Sequence, residues 1–278
     1  IAGSLAGRAI KFLAIFMVLL VTLPQNVGID AKNLKERKMQ KSAIEIRGIP
    51  AAVWGSRSKK VYIYAHGQGG SKEDAELLAS VVCKQSWQVI SFDLPGHGQR
   101  RHEPASCESI FYDLRRAILE FREILSYAKK RWDEVALFAV SLGAWLGLQS
   151  FRDEKFSDCL FVSPILDMKY VISNIMRRAG VSEQRLKQER MILTPVWQPL
   201  FWEYWSFVLN NPITKWETPS RILYAENDDM MPLKIVKNFA QQFGCTLSVM
   251  KNGEHWFHTP QQLDYLRSWI KSAVENRR

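Results

Sequence analysis

Cysteine is scarce, with four residues in 278: Cys83, Cys107, Cys159 and Cys245 are widely spaced, form no C-x-x-C pair and have no histidine at ligand spacing. This excludes a zinc-ribbon or zinc-finger framework and the disulfide-dense class of small secreted domains. Cys159 and Cys245 fall within apolar runs, where a thiol acts as a small buried hydrophobe, and the pattern suits a reducing, cytoplasmic compartment. A membrane-spanning length of apolar sequence is missing as well. The uncharged run Phe12 to Leu23 has twelve residues, against about 20 for a spanning helix. No internal repeat or low-complexity linker interrupts the chain, and no glycine-rich loop is followed by G-K-[ST], which removes a P-loop from consideration.

What is present is the balance of a soluble globular protein: 47% apolar and 24% charged residues, in a chain long enough for one large α/β domain with an insertion. The net charge of +10 would suit an anionic partner if it were concentrated. Residues 1–38 hold six Lys/Arg and two Asp/Glu, so they carry +4, and the remaining +6 is spread over helix-like segments such as Arg115-Arg116 and Lys129-Lys130-Arg131 with acids interleaved. These read as solvated helix faces, and no nucleic-acid partner is expected.

The N-terminal segment has three readings. Arg8 and Lys11 followed by Phe12–Leu23 is the layout of an export signal or membrane anchor, although no Ala-x-Ala site follows and Pro24-Gln25-Asn26 breaks the run. It could form a helix of the fold. Alternatively, the chain opens on Ile, and Lys35-Glu36-Arg37-Lys38 can be encoded by a purine run resembling a bacterial ribosome-binding site just ahead of Met39. Translation would then start at Met39. Membrane association and any location other than the cytoplasm depend on this segment, chiefly residues 8–23. Mass spectrometry of the natively expressed protein separates the readings, because a peptide N-terminal to Met39 rules out the third.

From Met39 the sequence predicts a hairpin, Ala43–Ile46 and Ala51–Trp54 around Gly48-Ile49-Pro50. Short apolar runs follow at Val61–Ala65, Trp87–Phe92, Val135–Val140, Cys159–Val162, Arg221–Tyr224 and Cys245–Met250. Helical patterns alternate with them at Lys72–Lys84, Cys107–Ala128, Leu142–Phe151, Leu233–Phe243 and Pro260–Val274, the last with Thr259 as N-cap and Pro260 at the first helical position. Nearly continuous apolar strands alternating with helices predict a mostly parallel sheet covered on both faces. The alternation fails between Asp167 and Thr218, a stretch too long for a structureless loop. The expectation is a helical cap over 167–218 inserted into a core of 39–166 and 219–278. Within it Trp197, Phe201 and Trp205 fall at i, i+4, i+8, a stripe that packs the cap onto the core, lines a substrate pocket, or does both.

Leu137-Phe138-Ala139-Val140-Ser141-Leu142-Gly143-Ala144 runs from an apolar strand through a serine directly into a helix. The spacing is that of the nucleophile elbow G-x-S-x-G with alanine at the first glycine. Such a turn presses strand end against helix start, so the residues two before and two after the serine must be small, as Ala139 and Gly143 are. A second loop, His66-Gly67-Gln68-Gly69-Gly70-Ser71, follows the Val61–Ala65 strand.

With these two loops the chain resembles the α/β-hydrolase superfamily, in particular its capped lipase, esterase and serine-aminopeptidase branch, which includes monoacylglycerol lipases. The resemblance spans about residues 43–275. It implies an α/β-hydrolase fold with a helical cap insertion, and an oxyanion hole made by the N–H groups of Gln68 and Leu142. Asp93-Leu94-Pro95-Gly96-His97-Gly98 is similar to the family's D-x-x-G-x-G loop, which implies loop-ordering roles for Asp93 and His97; His102 reads as a surface residue. The family's G-x-x-D pattern with a following proline selects Asp228, before Met231-Pro232, with Asp229 and Asp167 as rivals. The family's G-x-H loop matches Gly253-Glu254-His255, and His258 is left to cap or pack.

Ser141, Asp228 and His255 follow the Ser…Asp…His order of this fold, each after a predicted strand. The resemblance therefore implies a serine hydrolase cleaving a small-molecule acyl ester, monoacylglycerol or lysolipid-like, with no metal or organic cofactor. A serine aminopeptidase, a thioesterase and a catalytically silent binding protein are the alternatives.

Overall fold

Arg47 and Gly48 both take positive φ, 50° and 82°, the two-residue type I′ geometry whose twist matches the flanking strands. They close an antiparallel hairpin of β1 (Lys41–Ile46) and β2 (Ile49–Trp54), with Ile46 opposite Ile49. The computed structural model describes residues 39–102, 114–195 and 199–276. The segment 1–38 with its three readings, Cys107 and Trp197 lie outside the described residues.

After the hairpin come β3 (Lys60–Ala65), α1 (Glu76–Val82), β4 (Gln88–Phe92), α2 (Leu114–Lys129), β5 (Glu134–Val140), α3 (Leu142–Ser150) and β6 (Cys159–Val162). An insertion follows with α4 (Met168–Ala179), α5 (Glu183–Glu189), the two-residue strands β7 (Met191–Ile192) and β8 (Leu200–Phe201), and α6 (Trp202–Asn210). The chain then completes the fold with β9 (Ser220–Asn227), α7 (Leu233–Phe243), β10 (Thr246–Glu254) and α8 (Pro260–Glu275). All the strands predicted for the central sheet are present.

The central sheet has eight strands in the order β1-β2-β4-β3-β5-β6-β9-β10, antiparallel only at the β1 and β2 edge. Its strands carry apolar side chains on both faces. In β5, Val135, Leu137 and Ala139 join one core cluster with α2, α3 and α7, while Ala136 and Phe138 join the opposite one with α1 and α8. Burying a side chain such as Phe121 or Leu137 contributes about 1.5–3 kcal/mol each, so the sheet is anchored by both layers. α3 is buried along its whole length, which its small residues Gly143, Ala144 and Gly147 permit.

The chain leaves β3 for β4 on one side and then returns to place β5 on the other. At such a switch point the loops from adjacent strand ends diverge and leave a crevice. The loops after β3 and β5 carry His66-Gly67-Gln68 and Ser141.

The insertion differs from the expectation in one respect. It is not wholly helical, because Met191 and Ile192 pair antiparallel with Phe201 and Leu200. Phe201 has extended backbone, φ −123° and ψ 132°, and α6 begins only at Trp202. The predicted helical stripe Trp197, Phe201, Trp205 is therefore interrupted: Phe201 and Trp205 do not share one helix. Trp205 is buried and Phe201 half-buried, both packed into the core.

Candidate active site

Ser141 sits between the end of β5 and the first residue of α3 with φ 47° and ψ −114°, a conformation that costs a non-glycine residue energy and marks functional turns. The surrounding backbone holds it there. Its N–H donates to Val162 O at 3.1 Å, and its carbonyl accepts from Ala144 N at 3.1 Å and Ile165 N at 3.2 Å. The close approach that the sequence required is visible at Gly143, where a Cβ would lie 2.5 Å from His66 O and 2.6 Å from Ala65 O. Ala139 is fully buried between Ala65 and Phe161 on neighbouring strands.

The structure brings the three residues chosen from the sequence together. Ser141 Oγ lies 2.9 Å from His255 Nε2, and His255 Nδ1 lies 2.8 Å from Asp228 Oδ2. The Asp228 side chain is fully buried. Its other oxygen, Oδ1, accepts from Met230 N at 2.8 Å and Met231 N at 2.9 Å, and Tyr224 Oη donates to Met231 O at 2.9 Å behind them. A carboxylate held on one oxygen by two N–H groups presents the other in a fixed direction. It sets the His255 tautomer with the proton on Nδ1, leaving Nε2 to accept from the serine hydroxyl.

The rivals have other places. Asp229 is exposed, Asp167 caps α4 by accepting from Tyr170 N at 2.9 Å, and His258 precedes the α8 cap Thr259, with its N–H donating to Gln262 Oε1 at 3.0 Å. His102 is exposed.

The loop after β3 passes against the serine, since a Cβ on Gly67 would lie 3.2 Å from Ser141 Cβ. Gln68, the next residue, is exposed. Leu142 is the first residue of α3, so its N–H has no acceptor within the helix, and the helix N-terminus adds partial positive charge beside Ser141.

Asp93 was expected to order its loop, but sequence reasoning missed the buried His66 and Lys72 that act with it. His66 is fully buried; Nε2 accepts from Leu94 N at 3.1 Å, and Nδ1–H donates to Gly67 O at 2.8 Å. Burial, opposed by the Gly67 hydrogen bond, lowers its pKa to about 4, so the ring is neutral. Lys72, five residues on from Gly67, is buried too, and its Nζ lies 2.8 Å from Asp93 Oδ2. Asp93 also accepts from Lys72 N at 2.8 Å and Gln99 N at 3.0 Å. Burial pushes the carboxyl up, but these bonds and the ammonium outweigh it and hold Asp93 below the usual carboxylate range. Gly98, φ 53°, is required because a Cβ there would lie 2.2 Å from Asp93 Oδ1. Arg100 extends the network: Nη1 donates to Asp93 O at 3.0 Å, and the guanidinium pairs with Glu120 through two bonds of 2.6 and 2.8 Å. Nothing in the sequence marked Lys72 as buried, since it opens a segment that reads only as a helix.

A small cleft opens beside Leu142. Leu94 and Pro95 wall it from the loop after β4, Ala117 from α2, Leu142 and Leu146 from α3, and Tyr204 from α6. His97 also lines it, with Nδ1–H committed to Pro95 O at 2.8 Å. Tyr204 is held against Trp145 of α3, ring centroids 5.8 Å apart. Phe201 and Trp205, expected to line a pocket, do not line this one; their neighbour Tyr204 does. Among the described residues no group of three or more His, Cys, Asp or Glu side chains could hold a metal ion, and no helix is long and apolar enough to cross a membrane.

A serine at a strand-to-helix turn of a mostly parallel sheet, linked through histidine to a carboxylate after later strands, defines the α/β-hydrolase class. The chain belongs to the Alpha/beta hydrolase family, whose sequence profile matches residues 62–266. No curated protein sequence matches it. Among solved structures it is similar to Est1E from Butyrivibrio proteoclasticus, determined with ferulic acid bound (TM-score 0.64, 15% identity, covering 85% of this chain and 98% of that one). Mouse alpha/beta hydrolase domain-containing protein 10 is as similar (0.64, 15%, 85% and 98%). A monoacylglycerol lipase from Paleococcus ferrophilus also matches (0.58, 17%, 81% and 99%). At such identities the likeness is one of fold.

Proposed function

We propose that the protein is a serine hydrolase that cleaves carboxylic esters through an acyl-enzyme at Ser141. The observation that carries this reading is the continuous hydrogen-bonded chain from Ser141 Oγ through His255 to Asp228, with separations of 2.9 and 2.8 Å. In the first step His255 Nε2 takes the hydroxyl proton as Oγ attacks the ester carbonyl, and Asp228 stabilises the imidazolium that forms. The N–H groups of Gln68 and Leu142 hold the tetrahedral oxyanion, each such donor contributing about 3 kcal/mol. His255 then gives its proton to the departing alcohol. Water repeats the sequence on the acyl-enzyme and releases the acid.

The 167–218 insertion acts in this reading as a cap, with Tyr204 reaching the cleft beside Leu142. The partner is a small-molecule ester.

The test is labelling of the full chain with a fluorophosphonate, beside Ser141→Ala. The expected result is stoichiometric labelling of the parent, none of the variant, and loss of ester turnover with an unchanged circular dichroism spectrum. A folded parent that resists the probe, or a variant that keeps its activity, overturns it.

A further inference from the structure

We propose that Lys72 is a positioning residue for catalysis: its buried ammonium on Asp93 fixes the loop after β3 and, through that loop, the direction of the Gln68 N–H. The inference rests on the reading of Ser141 as nucleophile and Gln68 as oxyanion donor, and adds the residue on which that donor depends.

Gly67 and Gln68 share one trans peptide, whose carbonyl and N–H point in opposite directions. Gly67 O accepts from His66 Nδ1–H at 2.8 Å and from Gly70 N at 3.1 Å, so the Gln68 N–H is turned away from His66 and Gly70. The loop has no slack on the nucleophile side: a Cβ on Gly67 would lie 3.2 Å from Ser141 Cβ, and one on Gly143 would lie 2.5 Å from His66 O. A shift of the loop is therefore a shift of the Gln68 N–H relative to Ser141.

Residues 68–71 are poorly suited to hold the loop by themselves. Gln68 is exposed, and Gly69, at φ 75°, has open space where a Cβ would stand; two successive glycines leave the backbone its widest freedom. The hold comes from the ends, His66 at one and Lys72 at the other. Lys72 opens a single 3₁₀ turn, Lys72–Ala75, and reaches one carboxylate twice, its N–H donating to Asp93 Oδ1 and its Nζ to Asp93 Oδ2, both at 2.8 Å. Asp93 is itself anchored. Its N–H donates to Pro50 O in β2 at 2.9 Å, its carbonyl accepts from Arg100 Nη1 at 3.0 Å, and Oδ2 accepts from Gln99 N at 3.0 Å.

The Lys72 and Asp93 side chains are 5% and 0% exposed, so water cannot replace the ammonium without entering the core. The second acid near Nζ, Glu73 Oε1 at 3.5 Å, is half-exposed. Stripped of Lys72 Nζ, the Asp93 carboxylate keeps the N–H groups of Lys72 and Gln99 but loses its counter-charge; it then takes up a proton or admits water. Either change loosens the Lys72 end of the loop. The hydrogen bonds joining Ser141, His255 and Asp228 involve neither residue. The loss therefore falls on the oxyanion, a charge present only after attack on the carbonyl, and shows in kcat rather than KM.

The experiment measures kcat and KM of the full chain for p-nitrophenyl butanoate, and Ki for an alkyl trifluoromethyl ketone, whose adduct on Ser141 carries the oxyanion. Parent, Lys72→Met and Phe156→Ala are compared at a temperature where circular dichroism shows each folded. Phe156 is buried just before β6, at the end of the sheet away from Ser141, and its truncation controls for lost stability. Lys72→Met should lower kcat about 10²-fold, leave KM within about threefold, and raise Ki by the factor that kcat/KM falls. Phe156→Ala should keep kcat within about threefold. Should Lys72→Met fail to fold, Lys72→Gln, which retains an N–H donor without the charge, is held to the same criteria. A folded Lys72 variant with kcat within about tenfold of the parent, a fall in kcat with Ki unchanged, or an equal fall in Phe156→Ala overturns the positioning role and leaves the nucleophile standing. A folded parent with neither fluorophosphonate labelling nor turnover overturns both.

Discussion

His66 spends both ring nitrogens on backbone: Nδ1–H donates to Gly67 O and Nε2 accepts from Leu94 N. Protonation would set an N–H against an N–H, which together with burial explains a pKa lowered from 6.5 to about 4. The unfolded chain therefore takes up this proton at higher pH than the folded one. The folded state keeps its full advantage above about pH 6.5 and loses it as pH falls towards 4, by about 3 kcal/mol in all. His97, lowered mainly by burial, acts in the same direction. Thermal melts should show Tm falling between about pH 7 and 4.5, with a shallower slope for His66→Asn; parallel slopes would remove His66 from the account. Lys72→Met strips the buried Asp93 of its counter-ion and should cost about 3–5 kcal/mol in denaturant titration. At the other end of the site, Asp228→Asn should lower kcat by about 10⁴ while Asp229→Asn changes it little. Equal losses would mean the acid has been misassigned.

Among the elements, α3 and β3 meet at Gly143, and that contact sets where Ser141 stands. Gly143→Ala would drive a methyl into the Ala65 and His66 carbonyls, so the helix must retreat. The expected result is destabilisation by about 2–3 kcal/mol and a loss of kcat larger than any change in KM; a variant with parental stability and rate would contradict the contact. This contact was legible in the sequence because a strand entering a helix through serine demands small neighbours. The sheet strands were legible for a similar reason, since β3 to β6 are runs of apolar residues between turns. The insertion was less so. β7 and β8 have two residues each, too few to show a period, and spacing alone made Phe201 look helical although it ends a strand. Lys72 was missed because burial of a charge depends on a partner 21 positions away in sequence.

In the whole molecule, the candidate site is divided across the sheet. The loops after β3 and β5 bring Gln68, Ser141 and Leu142 to one crevice, and the ends of β9 and β10 supply Asp228 and His255. The buried Lys72, Asp93, Arg100 and Glu120 network ties the loop after β3 to the neighbouring loop and to α2. The insertion contributes Tyr204 to the cleft. In the proposed mechanism an acyl group carried on Ser141 uses these parts together. Intact-mass spectrometry of the full chain, quenched in acid during turnover of p-nitrophenyl butanoate, tests for it directly. The expected result is a mass gain of one butanoyl group, mapped to the peptide containing Ser141 and absent from Ser141→Ala; turnover with no adduct, or with the adduct on another residue, would contradict it.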